Sequence, residues 1–368
     1  MGKQQYSIAT ITIPTPELMS QWKYLWKNAS NATVFNSPEW FVTCQKQEKS
    51  KNFFIVGCFE KNRLVGIIPL RKSKKYGISV VGCLDTCFQV DTAFLVESYT
   101  NDLLQELFSY LIKNYNLYLP KNDNNASMML HELYPHMFFS LLSVNPCIPL
   151  TVEPHETISP KLLKRIKKII KDNNDSLHFT LHTDNLEKHI KEMIAVDLNS
   201  WKQQKGKSVF KDKKTQQFYK TLAKECSEFA RVGILYFNET PIAYFFGFLY
   251  GKTFAAYQTS FLYEYKQYRP GQTALYLLME NLKDKANVID MGGGISRYKQ
   301  EFTKDYRVLY DLFYSENLAI MYWFKTVNFA RRMRQILFPV KNTQDHKFLF
   351  KSFQKETASV SLVPLFHK

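Results

Sequence analysis

The order of patterned segments is the feature that most constrains the fold of this chain. Each half runs through two helical segments, a β-hairpin, another helix and a final strand. The hairpin strands of the first half are residues 53–59 and 64–70, and those of the second lie between Ile242 and Phe261, around Gly251-Lys252. Because this order recurs within 368 residues, the sequence predicts a duplicated α/β unit.

The predicted fold class is α/β (α+β), with two tandem domains that each carry a mixed, mostly antiparallel sheet flanked by helices. We place the first domain at residues 1–155 and the second at residues 156–315. A C-terminal helix and tail follow at residues 316–368. Hydrophobic residues make up 45% of the chain and aromatic residues 15%, which is enough for real cores and excludes intrinsic disorder as the main state.

A net charge of +16 favours anionic partners, namely nucleic acid, an anionic membrane surface or a phosphorylated small molecule. Charge alone does not choose among them, and a generic basic surface is the alternative. Two amphipathic segments concentrate this charge, residues 161–171 and 316–338. Each is predicted to pack its apolar side on the protein, with contact to an anion or a membrane as the alternative.

The six cysteines form no C-x-x-C motif and no cluster with zinc-site spacing. Cys83 and Cys87 are the only close pair, and we predict that they are buried free thiols. We also expect a reducing compartment, with no structural disulfide and no metal. The N-terminus lacks an apolar signal core, and no stretch of about 18 apolar residues occurs. The expected location is the cytoplasm, with peripheral contact at the inner face of the membrane as an option.

The most informative stretch begins where a strand ends and Arg269-Pro270-Gly271-Gln272-Thr273 opens a helix. Proline suits a first helical turn, and glycine lets a ligand approach the backbone closely. Unpaired backbone N–H groups at such a helix start attract pyrophosphate. Most capped helix starts bind nothing, so this signal is weak by itself.

A second signal follows at Asn287–Asp290, which is predicted to be a short strand with a carboxylate at its end. Gly292, Gly293 and Gly294 come next, and they are three of only 13 glycines in the chain. Such a turn bends the chain sharply or exposes a backbone amide to a ligand. The spacing fits neither a Walker loop nor a dinucleotide fingerprint.

These segments together resemble the GNAT-like acyltransferases of the CelD/BcsL (BioF2-like) group. The resemblance rests on Arg269-Pro270-Gly271-Gln272, on Ile289-Asp290-Met291-Gly292-Gly293-Gly294, and on Tyr298-Lys299 with Phe302. The first half is similar too, through Phe35-x-Ser37-Pro38-x-Trp40 and residues 64–70. Related FemA/FemB-type enzymes, which transfer aminoacyl groups from tRNA to peptidoglycan precursors, share this two-lobed architecture.

The resemblance implies an acyltransferase whose donor site lies in the second domain. Donor contacts are expected from Arg269, Gly271, Gln272, Thr273, Gly293 and Gly294. One departure concerns the acetyl-CoA loop, Gln/Arg-x-x-Gly-x-Gly/Ala, because Tyr268 and Thr273 stand at its first and last positions. That departure argues against acetyl-CoA, and leaves another acyl-CoA or an acyl carrier protein as the expected donor.

We assign Asp290 as the base or as the group that orients the acceptor. Lys299 would neutralise a phosphate or the oxyanion, and Tyr298 would donate a proton. The alternative is that Asp290 caps the glycine turn, Tyr298 packs and Lys299 is solvated. Trp201 resembles a family position near the acceptor groove, and Gln258 is predicted to bind substrate with it; for Trp201 a plain core position is the alternative.

The expected acceptor is an amine or hydroxyl on a small or lipid-linked precursor of the cell envelope or of a polysaccharide. Two other functions stay open. One is FemA/FemB-type transfer from aminoacyl-tRNA, helped by the basic residues 161–171 and 202–214. The other is a catalytically silent GNAT-like binding protein.

Overall fold

The structure is a computed structural model that describes residues 6–48, 52–82, 84 and 94–337. The close cysteine pair, Cys83 and Cys87, lies outside these residues.

The described residues form both helices and strands. The helices are α1 (Pro16–Asn28), α2 (Pro38–Glu48), α3 (Asn101–Asn114), α4 (Asn124–Leu133), α5 (Pro154–Thr157), α6 (Pro160–Asp172), α7 (Leu186–Leu198), α8 (Trp201–Gln204), α9 (Lys213–Glu225), α10 (Pro270–Leu282), α11 (Arg297–Gln300) and α12 (Leu318–Leu337). The strands are β1 (Tyr6–Ile11), β2 (Phe53–Glu60), β3 (Arg63–Lys75), β4 (Ile78–Gly82), β5 (Leu95–Val96), β6 (Leu117–Asp123), β7 (Phe138–Pro149), β8 (Leu177–His182), β9 (Ala230–Phe237), β10 (Thr240–Tyr250), β11 (Thr253–Phe261), β12 (Val288–Asp290) and β13 (Asp305–Tyr314). Three short 3₁₀ segments are also present, at Val34–Asn36, Val209–Lys211 and Tyr263–Tyr268.

All strands of the described residues join one sheet in the order β1-β2-β3-β4-β6-β13-β7-β12-β11-β10-β9-β8, and β5 pairs with β3. The pairs β4–β6 and β11–β12 are parallel, and the other pairs are antiparallel. Each parallel pair is joined through a helix, α3 in the first half and α10 in the second, as a parallel connection requires. The predicted fold class is confirmed.

The two halves exchange their last long strands at the centre of the sheet. Strand β13 lies between β6 and β7 of the first half, and β7 lies between β12 and β13 of the second. Residues 305–313 of β13 pair with residues 138–147 of β7. The halves therefore share one hydrogen-bond ladder, and the domain boundary at residue 155 stays a prediction.

Local capping explains where several helices begin. The apolar spacing of residues 215–229 predicts a helix that begins at Thr215. The Asp212 carboxylate accepts hydrogen bonds from the backbone N–H groups of Lys214 and Thr215, so α9 begins two residues earlier, at Lys213. The sequence also predicts one helix over residues 186–201, but α7 ends at Leu198 because Ser200 caps a separate short helix, α8. That break places Trp201 in the first turn of α8.

The largest core crosses the middle of the molecule. Helix α2 of the first half packs against α9 of the second, where Trp40 meets Phe218 with ring centroids 6.0 Å apart. Helix α1 contacts the residues that follow α9, where the rings of Trp26 and Phe229 lie 5.5 Å apart. A second core lies between the first half of the sheet and helices α3 and α4. Helix α12 covers a different part of that sheet, where Phe324 stacks on Phe313 at 3.7 Å.

The sequence pattern of residues 120–155 predicts mixed short strands and loops, and this prediction is wrong. This region holds α4 and the long central strand β7. Proline, asparagine and serine interrupt the apolar pattern of β7, and proline inside a run argues against a central strand. Strand β13 was not predicted either, because Asp305, Arg307 and Asp311 break its alternation.

Candidate active site

Helix α10 begins without a side-chain cap and without an acidic residue in its first turn. Arg269 precedes it in the left-handed region with φ of 48°. The Arg269 guanidinium donates to the side-chain oxygen of Gln272 at 2.9 Å, and the Gln272 amide donates to Glu301 at 2.7 Å. These bonds connect the N-terminus of α10, the positive end of its dipole, to the residue that follows α11. No protein carboxylate caps the N-terminus of α10.

A cavity of about 480 Å³ opens at this helix start. It is lined by Trp201, Lys202, Phe245, Thr259, Ser260, Phe261, Tyr263, Lys266, Arg269, Pro270, Gly271, Gln272 and Tyr298. Three of these residues are cationic and none is acidic, so the cavity favours an anionic or neutral ligand.

The remaining wall of the cavity is largely aromatic. The ring centroids of Trp201 and Phe261 lie 6.1 Å apart. A β-carbon at Gly271 would approach the Phe261 ring to 3.3 Å, so the glycine lets the first turn of α10 lie close to β11. The cavity therefore combines a cationic rim with apolar rings, which suits a ligand with a charged part and an apolar part.

Lys202 is a largely buried cation of the cavity wall. Its ammonium donates to the backbone carbonyl of Thr259 at 2.5 Å. Burial lowers the pKa of Lys202, and the carboxylate of Asp197 opposes that shift. Asp197 itself is fully buried and accepts hydrogen bonds from Ser208 and, at 2.7 Å, from Tyr244. This network fixes the end of α7 from which α8 leads into the cavity.

Tyr298 reaches the cavity from α11. Burial raises the pKa of Tyr298 to about 12, so the phenol is neutral at physiological pH. Among the described residues its hydroxyl has no hydrogen-bond partner, and it is therefore available to donate to a ligand.

The parallel ladder between β11 and β12 is short. It runs from Thr253–Val288 to Ala255–Asp290, while β11 continues to Phe261. The β10–β11 register also shifts between Phe246 and Gly247. The two strands therefore part beyond Ala255, and the glycine turn after β12 begins at this fork.

Asp290 lies at the end of β12 and is almost fully buried. Its carboxylate pairs with the Arg307 guanidinium and accepts from the Asn145 amide at 3.1 Å and from the Gly292 N–H at 2.8 Å. These partners occupy both oxygens, and Asp290 does not line the cavity. The contacts correspond to the capping alternative stated for this residue.

Lys299 is the other buried charge near the glycine turn. Its ammonium donates to the backbone carbonyls of Met291, Gly292, Gly293 and Gly294 at 2.9–3.2 Å. Gly292 and Gly294 have φ of 70° and 87°, a region that favours glycine. Lys299 thus stabilises a turn whose backbone conformation is easily adopted by glycine. Its side chain is buried rather than solvated, and it does not line the cavity.

The structure brings together five of the eleven site residues expected from the sequence, namely Arg269, Gly271, Gln272, Trp201 and Tyr298. The other six do not line the cavity. Thr273 donates to the Tyr268 carbonyl at 2.8 Å, and Gln258 bonds to the Tyr244 hydroxyl. Gly293 and Gly294 lie in the turn held by Lys299. The functional roles of all eleven stay predictions.

Sequence analysis missed several residues of the cavity. Lys202 lies in the basic stretch 202–214 without a distinguishing neighbour, and Lys266 lies between β11 and α10, where the sequence shows no motif. Phe245, Ser260 and Phe261 looked like ordinary strand residues. Their shared position follows from the β10–β11 pairing and from the break between α7 and α8, neither of which a local pattern reveals.

No group of three or more His, Cys, Asp or Glu side chains in the described part of the chain is placed to hold a metal ion. His182 and His189 stack at 3.4 Å beside Glu192, which pairs with His189 and with Tyr236. None of the described helices is long and apolar enough to cross a bilayer.

Residues 160–300 match the family described as acetyltransferase (GNAT) domain. This match identifies a GNAT-like acetyltransferase domain at residues 160–300. This segment spans α6 to α11, and so contains the whole cavity. The GNAT-like part of the resemblance is confirmed, whereas assignment to the CelD/BcsL group stays a prediction. No curated protein sequence matches the chain.

Solved structures share the fold over most of the chain. FemX aligns with a TM-score of 0.61 and 8% identity over 85% of this chain and 98% of its own. A conserved protein of unknown function from Bacteroides thetaiotaomicron VPI-5482 aligns with a TM-score of 0.56 and 11% identity, over 84% and 100%. The C-terminal domain of a putative lysylphosphatidylglycerol synthetase from Agrobacterium fabrum aligns with a TM-score of 0.55 and 8% identity, over 84% and 95%. At these identities the likeness shows the fold alone.

Proposed function

We propose that this protein is an acyltransferase that moves an acyl group from an acyl-CoA or an acyl carrier protein to an amine or hydroxyl. The proposed acceptor is a precursor of the cell envelope or of a polysaccharide. The cavity at the start of α10 carries this proposal, because it joins a cationic rim to an aromatic interior within the GNAT segment.

The rim fits the phosphates of such a donor. Lys266 and Arg269 flank the start of α10, whose dipole contributes ~0.3–1 kcal/mol toward an anion, and up to ~2 kcal/mol when partly buried. That is too little alone for micromolar binding, which needs about 8 kcal/mol, so the cations and the apolar wall must supply the rest. Trp201, Phe245 and Phe261 provide that wall.

The chemistry asked of the protein is modest. The acceptor's lone pair attacks the thioester carbonyl carbon, the C–S bond breaks, and the departing thiolate takes a proton. Tyr298 is the proton donor that we assign, because it lines the cavity as a neutral phenol without a protein partner. The acceptor's own proton leaves to solvent or to a base, and alignment supplies ~7–11 kcal/mol of the barrier reduction.

Asp290 and Lys299 are assigned supporting roles in this proposal. Their contacts favour holding the glycine turn and the fork between β11 and β12. A direct part for either in the reaction would require the turn to rearrange. Turnover assays on Asp290→Asn and Lys299→Ala test whether either residue takes a direct part in the reaction, as the sequence analysis expects. Unchanged rates in both variants would remove that role.

Helix α12 supports peripheral contact with an anionic membrane, where a lipid-linked acceptor would be found. Its outer face exposes Tyr322, Trp323 (55% exposed) and Phe329 (65% exposed). Residues 318–337 contain four basic and no acidic residues. Aromatic rings with cations suit the interface of an anionic bilayer. Under this proposal the protein works in the cytoplasm at the inner face of the membrane.

Co-sedimentation with liposomes tests the membrane contact. We expect binding to vesicles that contain phosphatidylglycerol and weaker binding to pure phosphatidylcholine. The double variant Tyr322→Ser, Phe329→Ser should reduce binding, while Tyr24→Ser changes an equally exposed ring on α1 and should not. Absence of the wild-type protein from both pellets would end the membrane part of the proposal.

FemA/FemB-type transfer from aminoacyl-tRNA is the second candidate. It is supported by the fold shared with FemX and by α6, which exposes six basic side chains, Lys161, Lys164, Arg165, Lys167, Lys168 and Lys171. The cavity weighs against it, because no carboxylate lines the wall to pair with the protonated amine of an aminoacyl group. A silent binding protein is the third candidate.

Thermal-shift titration with acyl-CoAs, acyl-loaded carrier protein and tRNA separates the three. We expect acyl-CoA or the loaded carrier to raise the melting temperature, and Lys266→Ala with Arg269→Ala to reduce that effect. Stabilisation by tRNA alone, with a steep dependence on salt, would favour the second candidate instead. Binding without turnover on any amine or hydroxyl acceptor would favour the third.

A further inference from the structure

The β3–β4 hairpin extends past the rest of the sheet. Strand β2 pairs with β3 only as far as Arg71, and β6 pairs only with the last two residues of β4. Residues 72–80 therefore form a two-stranded ribbon. The ribbon turns at Tyr76 and Gly77, which have φ of 52° and 81°, as a two-residue hairpin turn requires.

Helix α12 lies along one face of this ribbon. Val80 of the ribbon shares a core with Phe324 of the helix. The Trp323 indole N–H donates to the backbone carbonyl of Tyr76 at 3.1 Å, and the Arg331 guanidinium donates to the Tyr76 hydroxyl at 3.1 Å. Because Trp323 and Arg331 are exposed, the tip of the ribbon and the outer side of α12 form one continuous surface.

A second cation lies against the same tyrosine. The Lys75 ammonium is 5.3 Å from the ring centroid of Tyr76 and 4.5 Å from that of Tyr118. A cation–π contact holds an ammonium in place without neutralising it. Neither Lys75 nor Arg331 forms a salt bridge with a carboxylate in the described part of the chain. Tyr76 therefore has one unneutralised cation near its ring and another at its hydroxyl.

Asp311 is the carboxylate whose charge acts on both cations. It accepts a hydrogen bond from the Tyr118 hydroxyl at 3.0 Å, and burial raises its pKa, so it is a weak countercharge. The hydrogen of the Tyr76 hydroxyl has no acceptor among the described residues. One phenol and two cations thus offer hydrogen bonds at one place, and phosphate oxygens are acceptors that suit such donors.

We propose that Lys75, the Tyr76 hydroxyl and Arg331 bind the phosphate of an anionic lipid headgroup. This inference rests on the membrane contact proposed above for α12, and it adds a headgroup site to that contact. The exposed rings of Tyr322 and Phe329 on the same helix favour a lipid over a free phosphate, because a bilayer would accept the rings and the phosphate together.

Co-sedimentation with liposomes tests this site with matched variants. Phosphatidylglycerol carries an uncompensated phosphate, whereas phosphatidylcholine pairs its phosphate with its own cation. Partition is measured for the wild type, for Lys75→Gln with Arg331→Gln, and for Tyr76→Phe, which keeps the ring. Lys252→Gln with Lys285→Gln is the control, because it removes the same charge from exposed positions in the second half. Melting temperatures of all variants show that they are folded.

We expect Lys75→Gln with Arg331→Gln to lower partition to phosphatidylglycerol vesicles about 30-fold. Tyr76→Phe should lower it about fivefold, the size of one hydrogen bond, and the control pair should stay within twofold. An equal loss for the control pair, or no loss for Lys75→Gln with Arg331→Gln, would overturn the headgroup site while leaving the α12 contact in place.

The source of the phosphate is tested by calorimetry with inorganic phosphate. We expect no measurable binding at millimolar phosphate in the absence of lipid. Binding of inorganic phosphate by a wild-type protein that stays out of the phosphatidylglycerol pellet would overturn the lipid assignment. Absence from that pellet would also end the membrane contact of α12, whereas the acyltransferase proposal does not depend on it.

Discussion

Replacing Lys299 with methionine separates a supporting role from a catalytic one. The change keeps most of the apolar stem and removes the ammonium, which donates to four carbonyls between Met291 and Gly294. Met291 and Gly292 are buried, so their carbonyls lose a charged donor that water cannot easily replace. Hydrogen bonds to charged groups contribute ~1.5–3 kcal/mol each but do not add fully, so we expect a loss of about 2–4 kcal/mol.

The measurement is thermal and urea unfolding of the variant beside Lys304→Ala. Lys304 is exposed and only five residues away, and its loss should cost no more than about 0.5 kcal/mol. We expect the melting temperature of Lys299→Met to fall by about 4–8 °C. A variant with wild-type stability and abolished turnover would refute the supporting role and restore Lys299 to the reaction.

Three further changes probe the cavity and its surroundings. Tyr298→Phe should lower kcat about 100-fold with little change in KM, because it removes the proton donor. Tyr24→Phe, on the exposed face of α1, is the control and should have no effect. Equal kcat values for Tyr298→Phe and the wild type would exclude Tyr298 as the proton donor. Gly271→Leu should abolish donor binding measured by calorimetry, since even a β-carbon would come within 3.3 Å of the Phe261 ring, and undiminished affinity would place the donor elsewhere. Burial and the stacked His189 lower the pKa of His182, so the folded state favours the neutral imidazole. The folding free energy therefore keeps its full value above pH ~6.5, and stability is lost as the pH falls below that value and the imidazole becomes protonated. The melting temperature should therefore drop more between pH 7 and pH 5 for the wild type than for His182→Gln, and parallel curves would contradict this assignment.

The helices and the hairpins were predictable because their signals are local. Apolar spacing predicts a helix over residues 101–115, where α3 spans Asn101–Asn114, and an amphipathic segment that opens near Pro160, where α6 spans Pro160–Asp172. Glycine marks the turn between β10 and β11. The duplicated order of elements gave the fold class for the same reason. The signal of each helix and hairpin depends on residues that are close in the sequence.

The centre of the sheet and half of the site were not predictable in this way. Strand β7 is stabilised by pairing with β12 and β13, which lie about 150 residues further along the chain, so its own proline-containing pattern carries little of the signal. The partners of Asp290 show the same limit. Asn145 comes from β7 and Arg307 from β13, and both reach Asp290 only because the two halves exchange these strands.

The duplicated fold also raises the question of why the second half, rather than the first, should hold a donor. The equivalent helix starts differ in charge and capping. Helix α3 begins with a side-chain cap from Thr100, which partners the N–H of Leu103, and it carries Asp102 in its first turn, whose charge would repel an anion.

Helix α10 has neither feature, and the basic residue Arg269 precedes it. An anionic donor therefore finds favourable electrostatics at α10 and unfavourable electrostatics at α3, although both helices join a parallel pair of strands in the same sheet. If Asp102→Asn and Thr100→Ala together created a second calorimetric binding event for octanoyl-CoA, charge and capping alone would account for the difference. A stoichiometry that stays at one would mean that the first half lacks the cavity as well as the charge.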